Sequence, residues 1–264
     1  MAETMQETSV TFSKRDGIGV IKLNRPGANA YNFEVMRQLN DAVDVARLDT
    51  EVKVIILSSG LEKFFSAGAD INMLKAAEPP YKASFCLFCQ ETLSKLERTP
   101  KIVIAQLGGH CVGGGLEIAL ACDLRFMAAG PYQIGLPEVK LGVLPGTGGT
   151  QRLPRLVGKS RGLDLIITGR LLTPEQALEI GLVDRVFPKE DLELKTMEYA
   201  QEIASGPSRT IGLIKVAVTE GIEMPLSGGL ALEREVQNQL FQNQDAKEGL
   251  AAYVEKRKPK FTGR

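Results

Sequence analysis

The sequence lacks several features that would point to particular classes of protein. Its 264 residues contain no run of about 18 apolar residues, so we expect no membrane-spanning helix. The 32 basic residues are balanced by 32 acidic ones, which leaves no excess of positive charge for holding nucleic acid by its phosphates. Four scattered cysteines give no disulfide framework. An apolar share of 44% and a charged share of 24% exclude a disordered, collagen-like or coiled-coil chain.

The first residues carry none of the usual targeting signals. Residues 1–7 contain two acids and the first base is Lys14, which fits neither the basic start of a secretory signal nor an arginine-rich transit peptide. We therefore expect a cytoplasmic protein. The mitochondrial matrix stays open if a transit peptide has been removed.

Apolar patterning predicts an α/β chain that ends in helices. Short β-rich runs alternate with helical spacing up to about residue 187, which is typical of crossover connections and a largely parallel sheet. The first two runs, 10–12 and 18–23, flank Asp16-Gly17, a hairpin signal. From Lys189 onward only helix patterns remain, near 190–205, 208–221, 227–241 and 246–256. We expect a core over 1–190 and a helical region over 191–264. In the last helix, Asp245 followed by Glu248 predicts an acidic capping box.

Glycine is the over-represented residue, and its clusters are the first candidates for a ligand site. It makes up 27 of 264 residues. Gly113, Gly114 and Gly115 lie between a predicted strand and a helix that begins near Gly114. One explanation of these glycines is a ligand site, because backbone N–H groups at a helix N-terminus favour a negatively charged group. The alternative is that the glycines allow the strand and the helix to pack tightly. Nucleotide motifs fail here, because no Gly-x-Gly-x-x-Gly occurs and Leu153 stands where a phosphate-binding loop ending at 158–160 needs glycine.

Two glutamates accompany these glycines. Glu117 lies three residues after Gly114 and therefore faces the same site from the first helical turn, and Glu138 follows Pro137 in a loop. Taken singly, each acid is more typical of a solvated side chain or of one that interacts with the helix dipole. Two carboxyls close together divide their protonation, which suits acid–base chemistry.

Eight segments in order along nearly the whole chain resemble the enoyl-CoA hydratase/isomerase (crotonase) family, and most closely its hydratases. They are LNRP at 23–26, SAGAD at 66–70, GGGLEIA at 113–119, ACDLR at 121–125, PEVKLG at 137–142, PGTGGTQRL at 145–153, TGR at 168–170 with GLV at 181–183, and VEKRK at 254–258. The resemblance implies an α/β fold, a crotonase-like spiral of β-β-α turns. It also implies that the C-terminal helical region mediates assembly into a trimer, often paired as a hexamer, and completes the coenzyme A site.

The resemblance also implies roles for single residues. Glu117 and Glu138 match the two catalytic glutamates, and we assign the base to Glu117 and the acid to Glu138. Ala67 and Gly114 match the residues whose N–H groups form the oxyanion hole for the thioester carbonyl. The predicted coenzyme A and substrate contacts are Arg25, Ala28, Ala67, Gly68, Ala69, Asp70, Ile71 and Gly114. Cations near the C-terminus, within 256–260, are expected to approach the phosphates of coenzyme A.

The activity that the resemblance implies is addition of water to a trans-2-enoyl-CoA to give a 3-hydroxyacyl-CoA, a reaction of fatty-acid β-oxidation. No metal, flavin or nicotinamide cofactor is implied, since coenzyme A is part of the substrate. A double-bond isomerase is the first alternative, and it needs only one carboxylate. A branched-chain hydratase, acting on a methylglutaconyl-like thioester, keeps both.

Two non-enzymatic roles are disfavoured. An RNA-binding role is known in one branch that resembles this family. Here the corresponding stretch, 36–53, has three bases against four acids, a poor track for phosphates. A non-catalytic acyl-CoA-binding protein is disfavoured because both glutamates and both donor positions are present.

Some positions depart from the family pattern or invite other assignments. Gly108 stands where asparagine is common, and the segment 27–31 replaces the usual Ala-Leu-Asn-Ala; both put the acyl preference in question. His110, the sole histidine, is expected to be structural or to line the ligand site. Cys86 and Cys89 have metal-site spacing, but they lie in an apolar helical run without a second pair and are predicted to be core residues.

Overall fold

The described chain begins with the predicted hairpin. The computed structural model describes residues 8–263, so the targeting prediction for 1–7 lies outside the described residues. Strand β1 (Val10–Arg15) pairs antiparallel with β2 (Ile18–Leu23). Asp16 and Gly17 between them have φ of 52° and 80°. A two-residue turn of this type needs left-handed backbone at both positions, which Asp-Gly tolerates, and the hairpin prediction is confirmed.

A six-stranded sheet forms the centre of the molecule. Its order is β1-β2-β3-β5-β7-β9, and every pairing after the hairpin is parallel. The further strands are β3 (Val54–Ser59), β5 (Ile102–Leu107), β7 (Leu124–Ala128) and β9 (Arg185–Phe187). Their central residues are apolar almost without interruption, because helices cover both faces. The predicted parallel α/β sheet is confirmed.

A second, three-stranded parallel sheet carries the candidate site residues. It contains β4 (Phe64–Ser66), β6 (His110–Val112) and β8 (Ile134–Gly135) in that order. The chain passes from one strand of the large sheet to one of the small sheet and then into helix, three times. The carboxyl ends of the three short strands lie at one edge, so they bring Ala67, Gly113 and Pro137 together there.

Helices make up most of the remaining described chain. They are α1 (Phe33–Leu48), α2 (Ile71–Ala76), α3 (Pro79–Arg98), α4 (Gly114–Leu120), α5 (Gly149–Val157), α6 (Lys159–Thr168), α7 (Pro174–Glu179), α8 (Leu192–Ala204), α9 (Ser208–Gly221), α10 (Leu226–Phe241) and α11 (Gln244–Val254), with a 3-10 turn at Glu138–Leu141. The four C-terminal helices agree with the predicted ranges. Over residues 8–263, none of these helices combines the length and the apolar character needed to cross a bilayer.

The capping box predicted at Asp245 and Glu248 is wrong. Helix α11 begins at Gln244, and Asn243 caps it by accepting a hydrogen bond from the Asp245 amide at 3.2 Å. The buried Asp245 carboxylate instead accepts from the amides of Thr262 and Gly263, each at 2.7 Å. These acids therefore fasten the C-terminal segment to α11.

The helices after residue 190 differ in what they cover. Leu192, Ala200 and Ala204 of α8 pack on the second face of the six-stranded sheet. Helices α9 to α11 leave large apolar side chains exposed: Ile214, Val218, Ile222, Leu226, Leu230, Phe241, Leu250, Tyr253 and Val254. The division at 190/191 and the predicted trimer or hexamer stay predictions.

Candidate functional site

Helix α4 begins at the triple glycine with its first amide uncommitted. Gly113 caps the helix with a φ of 58° and donates to the Gly135 carbonyl at 2.9 Å. Within residues 8–263 the Gly114 N–H has no acceptor. A Cβ on Gly115 would overlap the Ser66 carbonyl, and one on Gly114 would overlap the Tyr31 hydroxyl. Both interpretations of the glycines therefore hold: Gly115 permits close packing of helix on strand, and Gly114 presents a free donor at a helix N-terminus.

The segment 67–70 runs directly past the Gly114 amide. Gly68 has a φ of 88°, and a Cβ there would lie 2.6 Å from the Gly114 nitrogen. The Ala67 N–H donates to the Ala28 carbonyl at 2.9 Å, so it is not available to a ligand. This hydrogen bond corrects the prediction that Ala67 supplies an oxyanion donor.

Ala69 carries the free amide of this segment. Tyr31 forms a parallel bridge with Ala69 by donating to the Gly68 carbonyl and accepting from the Asp70 amide, both at 2.8 Å. In such a bridge the N–H of the central residue points away from its partner strand. Within the described chain the Ala69 N–H has no acceptor, and Ala69 lies on the same cavity wall as Gly114.

Glu117 is buried, although a first-turn acid is usually solvated. It is 2% exposed, and its Oε1 accepts hydrogen bonds from the amides of Thr147 at 2.7 Å and Gly149 at 2.8 Å. Burial raises the pKa of Glu117, and the two amide donors oppose that rise because they stabilise the carboxylate. Glu117 is thus a buried acid whose charged form is solvated by the protein backbone.

In residues 8–263, no amide of another residue holds Glu138 in this way. It begins the 3-10 turn after β8, half-buried, with its Oε1 over Gly113. Its buried Oε2 has no hydrogen-bond partner in residues 8–263. Burial raises the pKa of Glu138 to about 7, its own backbone amide opposes that rise, and the nearby Glu117 carboxylate adds to it. The two carboxyls therefore stand in different environments, one stabilised as an anion and one favouring the proton.

A largely apolar cavity of about 300 Å³ joins these groups. Both glutamates, Gly114 and Ala69 lie on its wall. The apolar part of the wall consists of Ile71, Leu74, Phe85, Leu141, Val143 and Leu144, and Lys82 and Cys86 also contribute. An apolar cleft with a few convergent polar groups is the usual form of a small-molecule site.

Three predicted contacts support the segment 67–70 and are absent from the cavity wall. Arg25 pairs with Asp70, Nη2 to Oδ2 at 2.8 Å, and this pairing lowers the pKa of Asp70. Asp70 also caps α2 through the amides of Asn72 and Met73. Ala28 holds Ala67 through its carbonyl. Any contact of these residues with coenzyme A stays a prediction. Arg257, among the C-terminal cations, is already paired with Glu248 at 2.6 Å.

Some cavity residues were missed in the sequence. Tyr31 is 3% exposed, and its hydroxyl lies over Gly114 and 3.4 Å from the Thr147 Oγ1. The departure of residues 27–31 from the family pattern could have indicated that Tyr31 lines the site. Cys89 is buried in the core as predicted, whereas Cys86 is half-buried and lines the cavity, which corrects its assignment.

His110 is a structural residue, as expected. Its Nδ1 accepts a hydrogen bond from the Gln133 amide at 3.1 Å, and its ring packs against Phe64 and Tyr132. Burial lowers the pKa of His110. It is not part of the cavity wall.

Comparison with known proteins gives consistent matches over the full length. The sequence model for enoyl-CoA hydratase/isomerase matches residues 13–264. A short-chain-enoyl-CoA hydratase of Clostridium acetobutylicum is 36% identical over 96% of this chain and 97% of that protein. A crotonyl-CoA hydratase of Syntrophomonas wolfei is 35% identical over 97% and 99%. The crystal structure of an enoyl-CoA hydratase from Geobacillus kaustophilus is 52% identical, covers 98% of both chains and superposes with a TM-score of 0.96. The crotonase-like fold predicted from the resemblance is confirmed.

Proposed function

The chain belongs to the enoyl-CoA hydratase/isomerase family, and from this premise we propose that it adds water to a trans-2-enoyl-CoA to give a 3-hydroxyacyl-CoA. One observation carries the proposal. One buried and one half-buried carboxyl, in contrasting environments, share one apolar cavity with two uncommitted backbone amides. Hydration needs all four groups.

The amides of Gly114 and Ala69 are proposed as the oxyanion hole. Water attacking C3 of the enoyl group moves negative charge onto the thioester oxygen, and two fixed N–H donors stabilise that charge without reorganising. The dipole of α4 adds to the field at Gly114. In other enzymes, removal of one such donor costs about 2.7–4 kcal/mol of transition-state stabilisation.

Glu117 and Glu138 divide the proton transfers. Glu117, held as an anion by two amides, accepts a proton from the attacking water, and the water oxygen bonds to C3. Glu138, with a pKa of about 7, delivers a proton to C2. One proton then passes from Glu117 to Glu138 to restore the starting state. Because the carboxyls are coupled, their titration belongs to the pair.

The cavity supports a short acyl chain. Its volume of about 300 Å³ is at the small end for ligand sites. Relatives named for short-chain and crotonyl substrates agree with that size. We expect kcat/KM to fall as the enoyl chain lengthens beyond a few carbons, and we propose no cofactor besides the coenzyme A of the substrate.

Lys82 supports a second candidate substrate. It is the basic side chain on the described cavity wall, and no acidic partner is found for it in residues 8–263. A branched enoyl-CoA with a distal carboxylate, such as a methylglutaconyl-like thioester, would place an anion in reach of such a cation. In Lys82→Met, kcat/KM should fall further for this branched substrate than for crotonyl-CoA.

Isotope labelling tests the reaction type. Crotonyl-CoA is incubated with the enzyme in H₂¹⁸O and, separately, in D₂O, and the product is analysed by mass spectrometry and NMR. Hydration introduces one ¹⁸O at C3 and one deuterium at C2. If a 3-enoyl-CoA is instead converted to the 2-enoyl-CoA without oxygen uptake, and crotonyl-CoA is bound but not hydrated, the isomerase alternative replaces this proposal.

A further inference from the structure

Behind the cavity, Arg152 of α5 and Glu97 of α3 form a bidentate ion pair. Nε and Nη2 of Arg152 each lie 2.7 Å from a different oxygen of Glu97. The Arg152 side chain is 15% exposed and that of Glu97 is 31% exposed. Neither residue lies on the cavity wall. A planar ion pair with two hydrogen bonds holds the guanidinium in one position and also balances its charge.

The remaining guanidinium nitrogen reaches the loop that holds Glu117. Nη1 of Arg152 donates to the Thr147 carbonyl at 3.0 Å. The Thr147 amide, at the other end of the same residue, donates to Glu117 Oε1 at 2.7 Å, and the Gly149 amide donates at 2.8 Å.

The loop is shaped around the guanidinium. Gly148 has a φ of 114°, and a Cβ there would overlap the Arg152 side chain. The loop 145–149 thus lies between the arginine and the catalytic carboxylate and contacts both.

We propose that Arg152, held by Glu97, is a positioning residue for the catalytic base: it fixes the loop 145–149 so that two amides keep Glu117 oriented and ionised. This inference rests on the proposed function. Arg152 acts through the loop and does not touch substrate in this role.

The charges around Glu117 agree with this role. Burial raises the pKa of Glu117, whereas the amides of Gly149 and Thr147, the Thr147 side chain and then the Arg152 charge lower it. The other titratable groups that face Glu117 or share its cavity are Glu138 on the 3-10 turn, Tyr31 before α1, and Lys82, Cys86 and Cys89 on α3. Ionised Glu138 would oppose ionisation of Glu117. Without the Arg152 charge and the fixed loop, the pKa of Glu117 therefore rises.

The pH profile of kcat/KM is the primary test. The base must be ionised, so a higher pKa of Glu117 moves the acidic limb to higher pH. In Arg152→Met we expect a shift of about one pH unit, which is about a tenfold loss of rate below the limb. Glu97→Gln releases the loop but keeps the Arg152 charge, so we expect a smaller shift in the same direction. Arg152→Lys keeps the charge but loses the bidentate geometry, and it should shift the limb less.

Two surface variants on the same helices serve as matched controls. Arg155 of α5 pairs with Glu223 in solvent, and Glu91 of α3 is exposed. Arg155→Met and Glu91→Gln should leave the acidic limb unchanged. Equal limbs in all variants, with only a lower melting temperature for Arg152→Met and Glu97→Gln, would overturn the proposal in favour of a merely structural pair.

Infrared titration separates this inference from the proposed function. The band of the protonated Glu117 carboxyl is assigned by difference against Glu117→Gln, and it reports the pKa of Glu117 without any turnover. A higher pKa in Glu97→Gln supports the inference even if crotonyl-CoA is not hydrated. An unchanged pKa overturns it even in a fully active hydratase.

Discussion

At the scale of single residues, Glu117 and Glu138 lie near the same glycines but in different hydrogen-bonding environments, although burial raises the pKa of both. Glu117 lies against two backbone amides, and Glu138 has a buried oxygen without a donor. The difference arises from hydrogen bonding, since both side chains lose contact with water. This contrast in hydrogen bonding is the basis on which we propose Glu117 as the base and Glu138 as the acid.

The raised pKa of Glu138 predicts a cost in stability at high pH. In the unfolded chain this carboxyl has a pKa near its ordinary 4.5, against about 7 in the fold. Between these values the folded state binds more protons, so the free energy of unfolding falls as pH rises through this window. Glu138→Gln should therefore raise the melting temperature at pH 8 and leave it nearly unchanged at pH 4. A variant that is destabilised equally at both pH values would contradict this.

Gly114 should not tolerate a side chain. A Cβ there would overlap the Tyr31 hydroxyl, so the chain must shift at the amide that is proposed to bind the thioester oxygen. We expect Gly114→Ala to lower kcat for crotonyl-CoA by about 10²–10³-fold, as the loss of an oxyanion donor does elsewhere. Gly228→Ala on α10, where the nearest atom is 3.5 Å away, is the control and should keep full activity. Normal turnover by Gly114→Ala would remove this amide from the mechanism.

At the scale of elements, long periodic segments were predictable and short ones were not. Helix α1 and the hairpin β1–β2 follow from spacing and turn residues that are local in sequence. Strand β4 has three residues, too few for an apolar period to indicate a strand.

The site was predictable in its side chains but not in its backbone donors. Glu117 and Glu138 were identified by motif. Ala67 and Ala69 are equivalent in the sequence, and only the bridge between Tyr31 and Ala69 determines which amide is free. The amides that hold Glu117 come from a loop distant in sequence, and no local pattern reveals such a contact.

A buried ion pair attaches α9 to the central sheet. Lys215, 5% exposed, contacts Asp123 at 2.7 Å and donates to the carbonyls of Leu96 and Lys101. Lys215→Met leaves the Asp123 carboxylate without its cation, and we expect it to lower the free energy of unfolding by about 3–5 kcal/mol. Urea titration measures this change. Lys195→Met, which breaks an exposed pair with Glu198, should lower the free energy of unfolding by less than about 1 kcal/mol. Equal losses in the two variants would contradict the role of burial.

At the scale of the whole molecule, the spiral arrangement explains how distant segments form one site. Each passage from the large sheet to the small sheet ends a short strand at the same edge. Ala69, Gly114 and Glu138 each follow one of these strands, so the three passages bring two free amides and one carboxyl to the proposed site. Insertions elsewhere in the chain would leave this edge intact.

The exposed apolar side chains on α9 to α11 predict self-association. Many large apolar side chains exposed on successive helices indicate an interface. Analytical ultracentrifugation should find a mass of three or six chains of 28.6 kDa. Val218→Glu should lower that mass, and Leu48→Glu on α1, which is more exposed but lies outside these helices, should not. A monomer at micromolar concentration in the unaltered protein would contradict the prediction.

The central claim is that Glu117 and Glu138 together hydrate an enoyl thioester, and turnover of crotonyl-CoA by the two glutamine variants tests it most directly. Hydration is followed as loss of the enoyl-thioester ultraviolet absorbance, and thioester binding is measured separately by calorimetry. We predict rapid turnover by the unaltered protein and a loss of at least about 10²-fold in both Glu117→Gln and Glu138→Gln, with binding retained. Turnover that survives in either variant would contradict the claim.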